Sequence, residues 1–388
     1  MSQPTIVTDG LWRKSLSAIR SLGKAGYEVT VMGESWFTTG FWSRFANGRV
    51  CAPTAARDVH AFGQTLLALL KQKPGSVILP MEDASLLWIS ENRERVAENG
   101  RFLIPPPESL KIALDKARTL QIAQELNLPC PRSWEPENAQ EFARRALELD
   151  PGSFITKPRV GSGSTGVSYG EKRTVEEWEA HWLQMGPMLI QERIPTEGRG
   201  QGVSLLMDQD GECVAAFAHE RLQQYPNSGG PSTDRHGILA PALIESSVRL
   251  LKRLQWRGIA MVEWKVDPRD GVAKLMEINP RFWGSLELAV RSGVDFPALY
   301  VRAALGEKLP KAASYSANVR CRWMMPGEIL RYLSQPRERR ESLLSFLKGL
   351  PGMAEEWDWR DLRGGFSALI CTAVLALNPR YWKYLRRG

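Results

Sequence analysis

Two strand-like segments joined by a tight turn constrain this chain more strongly than any other part of it. The first is GIAMVEWKV at 258–266, the turn is DPRDG at 267–271, and the second ends in LMEIN at 275–279. Glu263 and Glu277 each lie seven residues from Asp270, so antiparallel pairing places them opposite or nearly opposite each other. Asn279 shares their face because it lies two residues beyond Glu277. Pro280 ends the second strand because it has no N–H to donate.

Like charges that face each other across two strands are destabilising unless something neutralises them. Glu263, Glu277 and Asn279 offer hard oxygen ligands, which suit Mg²⁺ with its remaining positions filled by water and phosphate. The alternative is a solvated hairpin whose carboxylates face water. The unusual Asn-Pro-Arg continuation at 279–281 favours the metal site.

The first hundred residues alternate between strand-like and helical segments. The strands are predicted at 5–8, 26–33 and 76–80, and the helices at 12–22 and 84–98. This order indicates a small parallel sheet with helices on both faces. No GxGxxG motif follows the first strand, so a dinucleotide site is not expected. The prolines at 105–107 mark a boundary.

The rest of the chain divides into further units. Residues 110–188 read as one long helix at 110–127, a strand at 153–157, a glycine-rich segment and a helix at 174–184. Residues 189–310 are rich in strands, with hairpin turns at the Asp-Gly pairs 210–211 and 270–271. The fold class is therefore α/β and α+β: a parallel α/β domain (1–109), a two-lobed domain (110–310) and a C-terminal helical extension (311–388).

Phosphate-binding character is strongest at 157–166. Lys157 ends a predicted strand and precedes GSGSTG, whose glycines allow backbone N–H groups to approach phosphate oxygens. The segment is not a P-loop, because no GK[ST] follows and no helix begins there, and taken alone it favours a flexible surface hairpin. Lys116 by itself reads as a helix-surface lysine. The segment LIQERIPTEG at 189–198 suits a hinge that reads an adenine edge with its backbone, or a plain interdomain linker.

Residues 219–235, HERLQQYPNSGGPSTDR, are predicted to form a long polar loop beside this site. Loops longer than about a dozen residues are often lids or substrate clamps. Arg221 and Arg235 are candidates for binding a substrate carboxylate, because arginine binds carboxylates bidentately. A disordered excursion is an equal alternative.

Composition excludes several classes of protein. A chain of 388 residues with 43% hydrophobic content can bury a large core. Its five cysteines are widely spaced without a CxxC pair, which indicates reduced thiols and neither a disulfide framework nor a zinc site. The N-terminus lacks the pattern of a signal peptide, so we expect a cytoplasmic protein. The basic residues match no nucleic-acid reader motif, and no nucleic acid is expected as a partner.

The C-terminal 58 residues carry a net charge of +5 out of the chain's +8. The apolar run at 365–377 is too short to span a bilayer. One interpretation is a helix that lies on an anionic membrane surface. A packed C-terminal helix with a solvated basic end is the favoured interpretation, because short apolar runs usually belong to a core.

Together these motifs resemble the ATP-grasp superfamily. The order matches: LDKARTLQIAQELNLPCPRSW, FITKP with its glycine-rich loop, LIQERIP, a strand glutamate, and LMEINPRFWGS. The resemblance covers about residues 1–310 and is nearest to the carboxylate–amine ligase branch related to the carbamoyl-phosphate synthase large chain. It implies a pre-ATP-grasp domain at 1–109 and an ATP-grasp domain at 110–310. Residues 311–388 match no element of the family.

The resemblance also implies roles for individual residues. Lys116 and Lys157 would bind the ATP phosphates, and Gly161, Ser162 and Gly163 would close over them. Glu192 and the backbone of Arg193 and Ile194 would bind the adenine, and Glu197 would bind the ribose. Glu263, Glu277 and Asn279 would bind one or two Mg²⁺ ions, or Mn²⁺ in their place. Arg281 and Lys157 are the catalytic residues, and the substrate falls to Arg221, Arg235 and Ser285.

The expected activity is an ATP- and Mg²⁺-dependent ligase. It activates a small carboxylate as an acyl phosphate and joins it to an amine or ammonia, releasing ADP and phosphate. One alternative is a small-molecule kinase that stops after phosphoryl transfer. Another is an ATP-binding regulatory protein that docks at a membrane through its basic tail. Peripheral membrane contact through that tail and a homodimer are left open.

Overall fold

The computed structural model describes residues 2–161, 166–226, 229–310, 314–336, 342–348 and 350–377. The first hundred residues form a five-stranded parallel sheet in the order β3-β2-β1-β4-β5. Its strands are β1 (Pro4–Val7), β2 (Glu28–Gly33), β3 (Gly48–Cys51), β4 (Ser76–Leu79) and β5 (Gly100–Arg101). Its helices are α1 (Arg13–Lys24), α2 (Val59–Gln72), α3 (Asp83–Glu91) and α4 (Arg93–Ala97), with a 3₁₀ turn at Thr39–Trp42. The predicted parallel α/β domain is confirmed.

The next unit is built on a four-stranded sheet in the order β6-β9-β7-β8. Its strands are β6 (Ser133–Trp134), β7 (Phe154–Pro158), β8 (Ser168–Tyr169) and β9 (Met188–Glu192). Helices α7 (Ala139–Leu147) and α8 (Val175–Met185) pack against it, whereas α5 (Pro107–Leu114) and α6 (Lys116–Glu125) pack mainly against the six-stranded sheet that follows. The prediction of one continuous helix at 110–127 is wrong. Asp115 takes an extended conformation, and its carboxylate accepts from the N–H groups of Ala117 and Arg118, which starts α6 as a new helix.

A six-stranded antiparallel sheet forms the centre of the molecule, in the order β14-β13-β10-β11-β12-β15. Its strands are β10 (Gly200–Met207), β11 (Cys213–Gln224), β12 (Ser232–Ile238), β13 (Gly258–Val266), β14 (Ala273–Asn279) and β15 (Arg320–Arg322). Helices α9 (Pro241–Arg253), α10 (Leu286–Arg291) and α11 (Phe296–Ala304) accompany them. The predicted hairpins at both Asp-Gly pairs are confirmed.

The prediction of a long loop at 219–235 is wrong for most of its length. Residues 219–224 continue strand β11, and residues 232–235 begin strand β12. Two of their charged side chains form ion pairs with other segments: Glu220 with Arg199, and the buried Arg235 with Glu355. Polar strands of this kind resemble loops in sequence because their partners are remote along the chain.

The C-terminal extension folds back across the molecule. After β15 it continues through a π-helical turn at Met324–Glu328 and helices α12 (Ile329–Ser334), α13 (Leu343–Leu347), α14 (Leu350–Met353) and α15 (Leu362–Leu377). Asp361 forms an ion pair with Arg20 of α1 at 2.9 Å, and both side chains are buried. The apolar run is therefore a helix docked on the N-terminal domain.

A continuous apolar core joins the parallel sheet to the six-stranded sheet. It includes Phe217, Phe282, Trp283 and Tyr300, all fully buried. The Tyr300 hydroxyl donates to the Ile78 carbonyl at 3.2 Å and accepts from the Leu103 N–H at 3.0 Å. The parallel sheet is thus held firmly beside the C-terminal end of the β13–β14 hairpin.

Candidate active site

A cleft of about 550 Å³ lies between the four-stranded sheet and the six-stranded sheet. Most of the sequence-predicted site residues line it: Lys116, Lys157, Gly161, Glu192, Arg193, Ile194, Glu197, Arg221, Glu263 and Glu277. They come from α6, β7, β9, β11, β13 and β14 and from the loops that follow β7 and β9. Residues separated by up to 161 positions therefore meet at one site.

The hairpin of β13 and β14 forms the acidic floor of this cleft. Glu263 and Glu277 are directly paired across the two strands, as the spacing predicts. Met261 pairs with Asn279, whose side-chain amide donates to Glu263 Oε1 at 3.0 Å. The register shifts beyond Glu263, which leaves Met276 as an extra residue in β14.

Cationic side chains surround the two carboxylates. Arg221 Nη2 lies 2.5 Å from Glu263 Oε2, and Lys116 Nζ lies 3.7 Å from Glu277 Oε2. Burial, followed by the charge of Glu263, raises the pKa of Glu277, and the nearby cations oppose this shift only in part. The carboxylate pair therefore favours additional positive charge.

Lys157 is buried near the end of strand β7. Its Nζ donates to Gln191 Oε1 at 2.9 Å. Burial lowers the pKa of Lys157 to about 8; the charge of Glu277 opposes the shift and that of Lys116 adds to it. The protonated form of Lys157 is therefore disfavoured by burial, and a bound anion beside it would stabilise that form.

Lys116 begins helix α6, because Asp115 caps that helix. Its Nζ donates to the carbonyl of Gly161 at 2.5 Å, which links α6 to the glycine-rich segment. Gly161 has a φ of 137°, a conformation that favours glycine. The predicted phosphate ligands Ser162 and Gly163 lie outside the described residues.

The opposite end of the cleft is partly apolar. Ile155, Val167, Ile194 and Met276 line it, so it suits the faces of a base. Met276, the extra residue of the register shift, was missed by the sequence analysis because a shift within a strand has no clear sequence signal.

The backbone at 193–194 differs from the expectation in one respect. The Arg193 N–H already donates to the Ser153 carbonyl at 2.8 Å, and so it is not available to a base edge. The Ile194 carbonyl accepts from Lys265 Nζ at 3.1 Å. Within the described part of the chain, the Ile194 N–H has no hydrogen-bond partner, which leaves it free to donate to a ligand.

Glu192 and Glu197 take different positions along the same segment. Glu192 forms an ion pair with Arg269 and accepts from the Arg132 N–H at 3.2 Å. Glu197 is exposed in the turn that follows, where its charge acts on Lys265. Glu192 is therefore fixed by neighbouring groups, whereas Glu197 projects from an open edge of the cleft.

Four predicted residues lie beyond the cleft lining in the described structure: Asn279, Arg281, Arg235 and Ser285. Arg281 Nε lies 3.3 Å from Asp83 Oδ1. Burial would lower the pKa of Arg281, but Asp83 and other carboxylates raise it. Arg281 therefore keeps its charge at the junction with the N-terminal domain.

Arg235 and Ser285 have structural partners. Arg235 is fully buried in an ion pair with Glu355, and burial lowers its pKa to about 9. Ser285 Oγ lies 3.2 Å from His219 Nε2. Burial lowers the pKa of His219 to about 3, so its imidazole is neutral. Neither side chain is placed to contact a ligand in the cleft directly.

The N-terminal domain adds polar residues that the sequence analysis missed. Asp9 is buried after β1 with a φ of 51°, and burial with the charge of Glu82 raises its pKa to about 6. Lys14 pairs with Glu82 at 2.6 Å and donates to the Phe282 carbonyl at 3.1 Å. The signal was the TDG turn at the carboxyl end of a parallel strand, a common ligand-binding position.

A parallel α/β domain, followed by two lobes that meet over a hairpin with facing glutamates, defines the ATP-grasp fold. Residues 184–325 match a family model described as "ATP-grasp in the biosynthetic pathway with Ter operon". Over these residues the chain is similar to ATP-grasp proteins.

Curated relatives include carbamoyl phosphate synthase large chains. That of Thermoanaerobacter sp. (strain X514) is 24% identical over 254 residues, which cover 62% of this chain and 23% of the relative. That of Methanobrevibacter smithii is 24% identical over 218 residues, covering 52% of this chain and 20% of the relative. The chain thus spans about a quarter of the length of these relatives.

Solved structures share the fold at low identity. A Campylobacter jejuni biotin carboxylase complex with β,γ-ATP has a TM-score of 0.65 and 18% identity, covering 81% of this chain and 74% of the other. The biotin carboxylase domain of Hydrogenobacter thermophilus 2-oxoglutarate carboxylase, with MgADP and bicarbonate, has a TM-score of 0.65 and 16% identity over 82% and 74%. The N5-carboxyaminoimidazole ribonucleotide synthetase of Thermotoga maritima has a TM-score of 0.54 and 16% identity over 82% and 79%.

Proposed function

We propose that this chain is an ATP- and Mg²⁺-dependent ligase that joins a small carboxylate to an amine or ammonia. The observation that carries the proposal is the pairing of Glu263 with Glu277 in a cleft that also holds Lys116, Lys157 and Arg221. Such a site combines acidic ligands for a metal with cations for phosphate. The MgADP and bicarbonate bound by the Hydrogenobacter domain support this assignment of ligands.

The donor set fits Mg²⁺. Glu263 and Glu277 supply carboxylate oxygens and Asn279 an amide oxygen, the hard ligands that Mg²⁺ prefers, and Mn²⁺ accepts the same set. The described residues contain no group of three or more His, Cys, Asp or Glu side chains that could hold a metal. Two carboxylates with an amide match an ion that keeps several positions for phosphate and water. The ion would supply charge neutralisation at the γ-phosphoryl group.

The remaining residues of the cleft would hold the nucleotide. Ile155, Val167, Ile194 and Met276 would enclose the base, with the free Ile194 N–H donating to its edge. Glu192 would fix the shape of this segment, and Glu197 would accept from the ribose hydroxyls. Lys116 and Lys157 would bind the phosphates, with residues 161–163 beside them. In this arrangement the γ-phosphoryl group would lie near the acidic hairpin.

The chemistry then proceeds in two displacements. A carboxylate oxygen of the substrate attacks the γ-phosphorus, and the bond to the bridging oxygen breaks to release ADP. The amine nitrogen attacks the carbonyl carbon of the acyl phosphate, phosphate leaves, and the amine proton passes to the departing phosphate. Lys157 and Arg281 would stabilise charge on the phosphoryl oxygens.

Arg221 would bind the substrate carboxylate. It lines the cleft and already neutralises Glu263, so a metal ion at the hairpin would release it for another anion. Arg235 and Ser285 would support this position from behind the sheet. The five free thiols agree with a cytoplasmic location for this activity.

The test is a screen of carboxylic acids against amines with Mg·ATP, in which ADP and phosphate are measured together. We expect ADP and phosphate in equal amounts, only when an acid is present, and a hydroxamate when hydroxylamine replaces the amine. Lys157→Ala should lose this activity and bind ATP more weakly. ADP release with the phosphoryl group retained on a stable product would identify a kinase and overturn the ligase assignment.

A further inference from the structure

A second cleft, of about 730 Å³, shares no lining residue with the nucleotide cleft. The loop after β2 and the segment before α15 form it. Aromatic side chains project around it into solvent: Trp36 is 63% exposed and Trp359 is 85% exposed, and Phe37 and Trp42 are also exposed. Monomeric proteins seldom expose several large aromatic residues together unless the surface binds something.

Helix α15 extends this apolar surface. Leu362 lines the cleft, and Phe366, Ile370 and Leu377 follow it along the helix, all exposed. At the helical repeat these four side chains fall within an arc of about 80°. They form one stripe that continues from the cleft.

The opposite face of α15 binds the protein. Gly364, Ser367 and Cys371 are buried, and the Ser367 hydroxyl donates to the Thr39 carbonyl at 3.0 Å. The helix is therefore fixed in orientation, and its apolar stripe points away from the fold. The Trp357 ring packs edge-on against Phe366, with ring centroids 5.3 Å apart, and all four side chains of the stripe nevertheless stay exposed.

Four arginines surround the aromatic cleft. They are Arg44, Arg49, Arg360 and Arg363, all exposed. Among the described residues none of them forms an ion pair with a carboxylate. The one acidic residue of the lining, Asp361, is buried and already bound by Arg20 and by the Ser43 hydroxyl at 2.8 Å. The surface therefore carries a net positive charge available to an anionic partner.

We propose that this surface, formed by the aromatic cleft, its four arginines and the stripe of α15, docks on an anionic lipid bilayer. Tryptophan prefers the membrane–water interface, where its ring is half immersed. Exposed arginines bind lipid phosphates, and an apolar helical stripe inserts at the headgroup boundary. The described chain has no helix that is long and apolar enough to cross a membrane, and α15 is about 24 Å long, which suits a helix lying in the interface.

The first experiment measures co-flotation of the full chain with vesicles. One set contains phosphatidylcholine alone, and the other contains phosphatidylcholine mixed with phosphatidylglycerol. We expect binding to the anionic vesicles, a blue shift of tryptophan fluorescence, and weaker binding as salt rises. Absence of binding to anionic vesicles at low salt overturns the proposal.

Variants locate the contact. Arg360→Gln combined with Arg363→Gln should weaken vesicle binding about 25-fold, because each basic residue at an anionic surface contributes a factor of about five. The matched control is Arg144→Gln with Arg145→Gln on α7, which removes the same charge elsewhere and should leave binding unchanged. Equal losses in both double variants would show a nonspecific charge effect and overturn the proposed surface.

Phe366→Asp tests the apolar stripe, with Leu183→Asp on α8 as its control, since Leu183 is also highly exposed. Only Phe366→Asp should reduce vesicle binding and the fluorescence shift, and both variants should still bind ATP. Two further results overturn the proposal. One is a dimer that Phe366→Asp dissociates, which would make the stripe an interface between copies. The other is full competition by glycerol 3-phosphate, which would indicate a free-anion site.

Discussion

Lys157 combines burial with a role in binding anions, which makes its protonation sensitive to pH near neutrality. Its pKa of about 8 in the free protein would rise when phosphates bind beside it, so binding takes up a proton above that pH. We expect the Kd for ATP to increase about tenfold for each pH unit above about pH 8. Calorimetry in two buffers of different ionisation enthalpy measures both the affinity and the proton uptake.

Lys157→Arg is the control for this prediction, because arginine stays charged throughout the range. Its ATP affinity should be lower than that of the wild type near neutral pH but independent of pH. A wild-type affinity that stays constant between about pH 7 and about pH 9 would contradict the assigned role of Lys157.

Glu277 presents the opposite case, an acid whose ionised form is unfavourable in the free protein. Its pKa is raised by burial and by Glu263, so its contribution to stability is present below the unfolded pKa and lost as pH rises through the folded value. Glu277→Gln should therefore raise the melting temperature of the metal-free protein at neutral pH. Turnover should fall about a hundredfold or more, because an electrostatic element at the phosphoryl group is removed.

Thermal melting with and without Mg·ATP, beside ADP release, checks both effects. Glu212→Gln is the matched control, since Glu212 pairs with Lys252 on the surface at 2.7 Å and should change neither property measurably. A Glu277→Gln protein that melts lower without metal and keeps its activity would make Glu277 an ordinary structural residue.

Residue pairs that are close in sequence could be predicted, and remote pairs could not. The opposition of Glu263 and Glu277 follows from strand alternation and a countable turn. The partner of Arg235 lies 120 positions away and that of Ser285 lies 66 away, so no local pattern reveals them. In the sequence, Arg235 and Ser285 therefore look available to bind a ligand, although in the fold both already have partners.

The boundary between two helices determines where the predicted ATP-binding side chain of Lys116 lies. Asp115 separates α5 from α6, and this break places Lys116 at the mouth of the cleft. Asp115 also forms an ion pair with Arg159 at 2.7 Å, which joins α6 to the end of β7. The break is hidden in the sequence because leucine, lysine and alanine on both sides of it favour helix.

Asp115→Ala should therefore affect both stability and ligand binding. Loss of the cap should cost about 1 kcal/mol of unfolding free energy, and displacement of Lys116 should weaken ATP binding. Asn138→Ala is the matched control, because Asn138 caps α7 away from the cleft by accepting from the Glu141 N–H at 2.9 Å. Equal ATP affinities for the two variants, measured by calorimetry, would show that the break does not position Lys116.

The whole molecule is closed by contacts between its N-terminal domain and its C-terminal extension. Arg20 and Asp361 are both fully buried, and the Arg20 guanidinium also donates to the Glu356 carbonyl at 2.9 Å. Alternating strands and helices made the parallel sheet predictable. The three-residue strand β15 and the return of the chain were not, because both depend on surfaces that exist only after folding.

Removal of one partner from this buried ion pair should strongly lower the free energy of unfolding. Asp361→Ala leaves the Arg20 charge buried without its carboxylate, which should lower the free energy of unfolding by about 3 to 5 kcal/mol. Asp358→Ala is the control, since its partner Lys24 is partly exposed, and it should cost less than about 1 kcal/mol. Urea denaturation measures both, and similar losses for the two variants would contradict a closing role for Arg20 and Asp361.

The distance along the chain between Arg20 and Asp361 also sets the delay between their syntheses on the ribosome. The two residues are 341 positions apart, so at ordinary rates of translation about 17 to 70 s pass between their syntheses. During that interval Arg20 lacks the carboxylate of Asp361, and the surface of α1 that Asp361 will cover remains uncovered. The nascent N-terminal sheet therefore relies on its own contacts during this interval, and a segment synthesised much later completes its surface.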